Sequence, residues 1–264
     1  MTTHLSRVST AGGMQPLLCD ICGPPGAGKT TFALGAPKPL LIPVEHGLGL
    51  QQVDAVPTPT SFAEVMGILS ELAREEHGYR SLVIDACDGL EPIIFQEVAE
   101  ENGKSHIEQI GYGKGYQFAA AKARDFCDGL ITLSRAKRMN IILISHVAAR
   151  TIDDPVKGPF TRYELATHQK VLSPLILRFV DVLGYLDLER AAVTKGQDGG
   201  RQVTTTRTTG ERTLWLEDQG SLIAKNRYAL PQSISPIGID SGWKQLTTAI
   251  KASFDAINDQ KEVA

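Results

Sequence analysis

The chain has 264 residues, 42% of them hydrophobic and 22% charged, with a formal net charge of −3. This is ordinary globular usage, long enough for one large core, and it excludes a chain disordered throughout. The balance of 27 basic and 30 acidic side chains excludes a strongly basic nucleic-acid coat protein, and four cysteines do not make a disulfide scaffold.

No apolar run reaches the roughly 18 residues of a membrane-crossing helix. Residues 1–15 are polar and small and carry no apolar leader, so a flexible N-terminus on a cytoplasmic protein is expected. Leu17 to Cys22 is a short apolar run entering a glycine-rich turn, which reads as a buried strand with Asp20 as its one polar intrusion. Thr30 to Leu34 then begins a helix. Leu40 to Val44 is a second apolar run, ending at Glu45. Ser61-Phe62-Ala63-Glu64 has the spacing of a capping box, opening a helix to about Glu76 with Gly78 just beyond.

Ser81 to Ile84 is a third strand, ending at Asp85, and Pro92 fits the first turn of another helix. Ala119, Ala123, Phe126, Leu130 and Leu133 form one apolar stripe on a long helix from about Lys114 to Arg138. Asn140 to Ser145 is a fourth strand. Continuously apolar strands alternating with helices predict a mainly parallel sheet covered on both faces. Ala148 to Thr167, polar and holding two prolines and Gly158, reads as a long loop. Phe179 to Glu189 and Gln202 to Glu217 read as added antiparallel strands joined by the turn Gly196 to Gly200. A last helix, about Ser241 to Asn258, carries Trp243, Leu246, Ile250, Phe254 and Ile257 on one face. The expected organisation is one α/β domain over residues 16–240, with a C-terminal helix packed on it and a tail over 241–264.

Gly23-Pro24-Pro25-Gly26-Ala27-Gly28-Lys29-Thr30 matches the phosphate-loop pattern G-x-x-x-x-G-K-[ST], between a predicted strand and a predicted helix. The glycines let the backbone turn so that its N–H groups face phosphate oxygens, and the helix N-terminus favours the same anion. The expected nucleotide contacts are Gly23, Pro24, Pro25, Gly26, Ala27, Gly28, Lys29, Thr30 and Thr31. Lys29 reaches the β- and γ-phosphates, and the Thr30 hydroxyl is a ligand for Mg²⁺. Leu82-Val83-Ile84-Asp85 is a strand ending in a carboxylate, the Walker B arrangement, which makes Asp85 the second Mg²⁺ residue. The predicted cofactors are ATP and Mg²⁺.

Hydrolysis also needs a group that activates water. Ala86, Cys87 and Asp88 follow Asp85, so no glutamate stands directly after it. Glu45, at the tip of the neighbouring strand, is the preferred catalytic carboxylate, with Asp88 in reserve. His146, at the tip of the fourth strand, can hydrogen-bond the γ-phosphate. Cys19-x-x-Cys22 resembles a redox or zinc motif, but residues three apart in a strand face opposite ways, so both read as core.

These segments resemble the RecA-like ATPases, in particular the small phage-encoded ATP-binding proteins linked to single-strand annealing and recombination. The resemblance rests on Gly23 to Thr30, Pro43-Val44-Glu45-His46-Gly47, Leu82 to Asp85, Ile141 to His146, and Ala224-Lys225-Asn226-Arg227-Tyr228-Ala229-Leu230-Pro231. The stretch Gly111-Tyr112-Gly113-Lys114-Gly115-Tyr116 adds to it. The late motif is similar to the Lys-Asn-Arg-Phe-Gly signature of RadA-type proteins, with Ala229 where that signature has Gly. The resemblance implies a RecA-like P-loop NTPase core with added C-terminal antiparallel strands. It also implies that Lys225 and Arg227 reach a neighbouring subunit's γ-phosphate, which requires a homo-oligomer, ring or filament.

The resemblance implies an oligomeric ATPase acting on single-stranded DNA in recombination, repair or replication, in the host cytoplasm, beside phage single-strand-binding or recombination proteins. Arg150, Lys157, Arg162, His168 and Lys170, with Phe160 and Tyr163, are one set of candidate DNA contacts. Lys114 with Tyr112 and Tyr116 is another. Two alternatives share the phosphate loop. One is a nucleotide-gated loader or assembly factor with little hydrolysis. The other is a small-molecule or nucleotide kinase, for which the chain lacks a compact arginine-rich lid segment between the third and fourth strands.

Overall fold

The computed structural model describes residues 13–45, 52–156, 158–198 and 201–262. Most of the expected flexible N-terminus, together with His46, Gly47 and Lys157, lies outside them. Its centre is a parallel sheet of β1 (Leu18–Cys22), β2 (Pro39–Pro43), β3 (Asp54–Ala55), β4 (Ser81–Asp85), β5 (Asn140–Ser145) and the first residues of β8 (Val182–Asp198). The order across the sheet is β8-β1-β5-β4-β2-β3. β5 therefore lies between the strand that feeds the phosphate loop and the strand that ends in Asp85.

β8 has two roles. Val182 to Tyr185 pair in parallel with β1, and the rest runs on as a long antiparallel hairpin with β9 (Arg201–Trp215). β10 (Lys225–Asn226) and β11 (Ser233–Ile234) complete the antiparallel side. This is the expected α/β P-loop core with antiparallel C-terminal additions.

Side chains alternate between two apolar layers, as extended backbone requires. Cys22, Ile42, Ile84, Leu143 and Tyr185 face one layer. Cys19, Ile21, Leu41, Val83, Ile142 and Leu186 face the other. The two cysteines of the C-x-x-C stretch thus point to opposite faces, and all four cysteines are free and buried. Helices α2 (Phe62–Arg74), α3 (Leu90–Glu101), α4 (Lys114–Lys137) and α5 (Ser173–Phe179) cover the first layer. Helices α1 (Lys29–Leu34) and α6 (Gly242–Glu262) cover the second. The whole α4 stripe, Ala119 to Leu133, is at 0% exposure. On α6, Trp243, Leu246 and Ile250 are buried, whereas Ile257 at the end of the stripe is 43% exposed.

Ser61 caps α2 by accepting the Glu64 N–H at 3.1 Å. The reciprocal half of the box is displaced by one residue, because Glu64 Oε2 accepts from the N–H of Thr60. The clearest difference from expectation is residues 148–167. They do not form a long loop but a two-stranded ribbon, β6 (Val147–Asp154) with β7 (Gly158–Leu165). Helix α5 is a second addition, a seven-residue element with a proline in its first turn.

Candidate nucleotide site

The parallel register brings four strand tips to one edge. Cys22 is level with Ser145, Ile144 with Asp85, and Asp85 with Pro43. The phosphate loop, Glu45, Asp85 and His146 therefore share the carboxyl edge of the sheet, where open α/β sheets bind ligands.

The loop's glycines have distinct causes. At Gly23 a Cβ would lie 2.2 Å from the carbonyl oxygen of Leu186, so close approach of β8 demands glycine. Gly28 has φ +98, and a Cβ there would meet Ile239 at 2.5 Å. Lys29 is 6% exposed and donates from Nζ to the carbonyl oxygens of Gly23 and Pro24 at 2.9 and 3.1 Å. Burial lowers its pKa, opposed chiefly by the Asp85 charge. Pro25, Gly26, Ala27 and Thr31 complete the loop and the first turn of α1.

The Thr30 hydroxyl donates to Asp85 Oδ2 at 2.7 Å. These are hard oxygen donors side by side, the chemistry a magnesium ion takes, and they stand beside a loop built for phosphate. The residues present thus fit both ATP and Mg²⁺. Glu45 follows β2 by two residues and is exposed, with its N–H and that of Val44 near the Asp85 carbonyl oxygen. Its Oε1 lies 4.0 Å from His146 Nδ1.

Two carboxylates grip the tip of β5. Asp20, at 0% exposure, accepts from the Ser145 hydroxyl at 2.8 Å through Oδ2, while its Oδ1 is buried without a hydrogen-bond partner. Burial pushes the Asp20 carboxyl up to about 7. The Ser145 hydrogen bond and Lys29 act against that shift, and Asp88 adds to it. Asp88 accepts from both the backbone N–H and the ring of His146.

Sequence reasoning missed Arg212. From β9 it donates Nε to the carbonyl oxygen of Ala27 at 2.8 Å, fastening the hairpin to the phosphate loop across 185 positions. No local pattern signals such a contact. Asp20 did carry a signal, as a charge inside a buried strand.

Lys225 and Arg227 lie elsewhere. Asn226 is level with Val182, which is level with Cys19 near the start of β1, so both cations sit toward the opposite edge from the phosphate loop. Each is held within the chain. Lys225 donates to the carbonyl oxygen of Leu177, and burial lowers its pKa. Arg227 pairs with Asp181 at 2.9 Å and donates to the Arg178 carbonyl oxygen at 2.7 Å. Ala229, where the signature has Gly, has φ +50.

The basic residues of the β6–β7 ribbon are also engaged. Arg150 and Arg162 stand opposite one another with Glu164 within 4.0 Å of both, and Arg162 also pairs with Asp218. His168 stacks on Tyr116 with ring centres 4.5 Å apart, and its N–H donates to Glu91. Tyr112 is fully exposed at the N-terminus of α4, and Tyr163 is 45% exposed.

Residues 16–228 match the model of the family described as "AAA domain". Among solved structures, the crystal structure of the RadB recombinase is similar at 15% identity and a TM-score of 0.40, covering 74% of this chain and 88% of that one. No curated protein matches the chain.

Proposed function

The chain belongs to the AAA domain family of P-loop ATPases, and from that premise we propose that it is an oligomeric ATPase acting on single-stranded DNA in phage recombination, repair or replication. One observation carries the ATPase part. The phosphate loop, the Thr30–Asp85 pair, Glu45 and His146 meet at one sheet edge, although they come from four separate strands. In this reading the loop amides and Lys29 bind the phosphates. Thr30 and Asp85 hold the magnesium ion, whose charge offsets that on the phosphates. Glu45 accepts a proton from the attacking water, and its exposure leaves room for that water. No helix among the described residues is long and apolar enough to cross a membrane.

The DNA part is supported by exposed aromatic side chains, Tyr112 beside Lys114 and Tyr163 on the ribbon, which offer faces for base stacking. The oligomeric part rests on Lys225 and Arg227, which sit far from their own phosphate loop and so would serve only a neighbour's. Their internal hydrogen bonds favour a second reading, a nucleotide-gated loader or assembly factor with slow turnover.

ATP hydrolysis by the purified protein with and without single-stranded DNA, beside Lys29→Ala and Arg227→Ala, separates the two. DNA stimulation abolished by both substitutions supports the first. Tight ATP binding with no turnover and no DNA effect supports the second.

A further inference from the structure

Residue 146 is held at two points by one side chain. Its backbone N–H donates to Asp88 Oδ1 at 3.0 Å, and its ring Nδ1 lies 3.0 Å from Asp88 Oδ2. Asp88 sits in the short helical turn Cys87–Gly89 directly after β4, with its side chain only 18% exposed. An ionised carboxylate can only accept hydrogen bonds, so the proton must be on Nδ1. In the neutral ring, Nε2 is then the unprotonated nitrogen. Glu45 Oε1, at 4.0 Å from the same Nδ1, is beyond hydrogen-bond distance. Asp88, not Glu45, therefore orients the ring.

The structure assigns Asp88 as a positioning residue that fixes the tautomer and direction of His146, leaving Nε2 as a hydrogen-bond acceptor for the attacking water rather than a donor to a γ-phosphate oxygen; its catalytic consequence rests on the ATPase reading above. The logic is that of an outer-shell carboxylate behind a working histidine. Asp88 touches neither phosphate nor metal in this scheme. It joins the tip of β5 to the turn after β4, so the ring is placed relative to Asp85 and Thr30 rather than left to rotate. The sequence alone offered Asp88 only as a reserve water activator, a role its engagement with His146 argues against.

The test uses the full-length protein and two substitutions. Asp88→Asn keeps an oxygen for the backbone N–H of residue 146, but its amide group donates to Nδ1 and forces the proton to Nε2. Asp88→Ala removes both contacts. The readout is long-range ¹H–¹⁵N NMR of the imidazoles, with His146 identified among the six histidines by the signal lost in His146→Gln. The wild-type protein should carry its proton on Nδ1, and Asp88→Asn should carry it on Nε2. Alongside, kcat for ATP should fall about 10-fold or more in Asp88→Asn, as expected when a histidine is held in the wrong tautomer. The ATP dissociation constant should stay within about 2-fold, because Asp88 does not touch the nucleotide.

A wild-type proton on Nε2, or a tautomer unmoved by Asp88→Asn, overturns the assignment. So does a reversed tautomer with unchanged kcat. If even the wild-type protein fails to turn over ATP, it is the ATPase reading that fails. The positioning role is then judged on the tautomer alone. Asp88→Asn should still reverse it, and an unreversed tautomer overturns the role.

Discussion

Thr30 and Asp85 are 55 positions apart, yet the Thr30 hydroxyl reaches Asp85 Oδ2 at 2.7 Å, spanning the strand that lies between β1 and β4. The bond draws the two oxygen donors of the proposed magnesium site together. Asp85→Asn keeps an oxygen acceptor for Thr30 but removes the charge. Its stability should change by less than about 1 kcal/mol. Its kcat should fall by about 10²- to 10³-fold, and the Mg²⁺ concentration at half-maximal rate should rise. ATP turnover across a Mg²⁺ titration, with a denaturant melt on the same samples, checks both halves.

Lys29 is a buried cation whose partners are two loop carbonyl oxygens and nearby carboxylates. Keeping it charged there is costly. Lys29→Met should therefore weaken ATP binding by about 100-fold or more, as expected from losing a charged phosphate contact. Without nucleotide, its thermal midpoint should be equal to or above that of the wild-type protein. Calorimetric titration with ATP and nucleotide-free melts separate these effects. A Lys29→Met protein that binds ATP normally would sink the site.

Asp20 gives a pH signature. Burial raises its carboxyl from the ordinary 3.8 to about 7 in the folded chain. The folded state thus binds this proton more tightly than the unfolded state. The associated stability is fully present below about pH 4 and is lost as pH rises through about 7, an effect of up to about 4 kcal/mol. Asp20→Asn should flatten that slope and be the more stable protein at pH 8. Denaturant midpoints between pH 5 and 8 measure it, and parallel slopes for the two proteins would rule out the account.

Arg227 separates an intersubunit role from an internal one. Its half-exposed ion pair with Asp181 is worth at most about 1 kcal/mol, so Arg227→Ala should fold. If Arg227 acts on a neighbour, mixing Arg227→Ala with Lys29→Ala should restore activity, because some interfaces then hold an intact loop and an intact arginine. Each variant alone should be at least about 10-fold down. Mixtures no more active than their components would confine Arg227 to its own subunit.

The core was legible because its signals are local. Leu17 to Cys22 and Asn140 to Ser145 are continuous apolar runs, the phosphate loop is a contiguous pattern, and the α4 stripe repeats at helical spacing. The β6–β7 ribbon was not legible. Its inward positions include Arg150, Asp154, Arg162 and Glu164, so alternation carries charge rather than hydrophobicity, and Gly158 and Pro159 read as a loop. Helix α5 hid in the apolar run Leu175 to Leu177, which has no helical period over so short a length. At the site, Glu45, Asp85 and His146 could be placed as strand-tip residues, each from its own strand. The Asp88–His146 and Arg212–Ala27 contacts could not, since they depend on how distant turns pack.

All four thiols are buried, and burial raises the pKa of each. Thiol reagents attack the thiolate, so the native chain should resist them until part of it opens. The positions are informative. Cys22 precedes the phosphate loop, Cys87 adjoins Asp88, and Cys127 lies on α4. Labelling rates followed with ATP present or absent would give the protein a native chemical clock, reporting which side of the sheet loosens first.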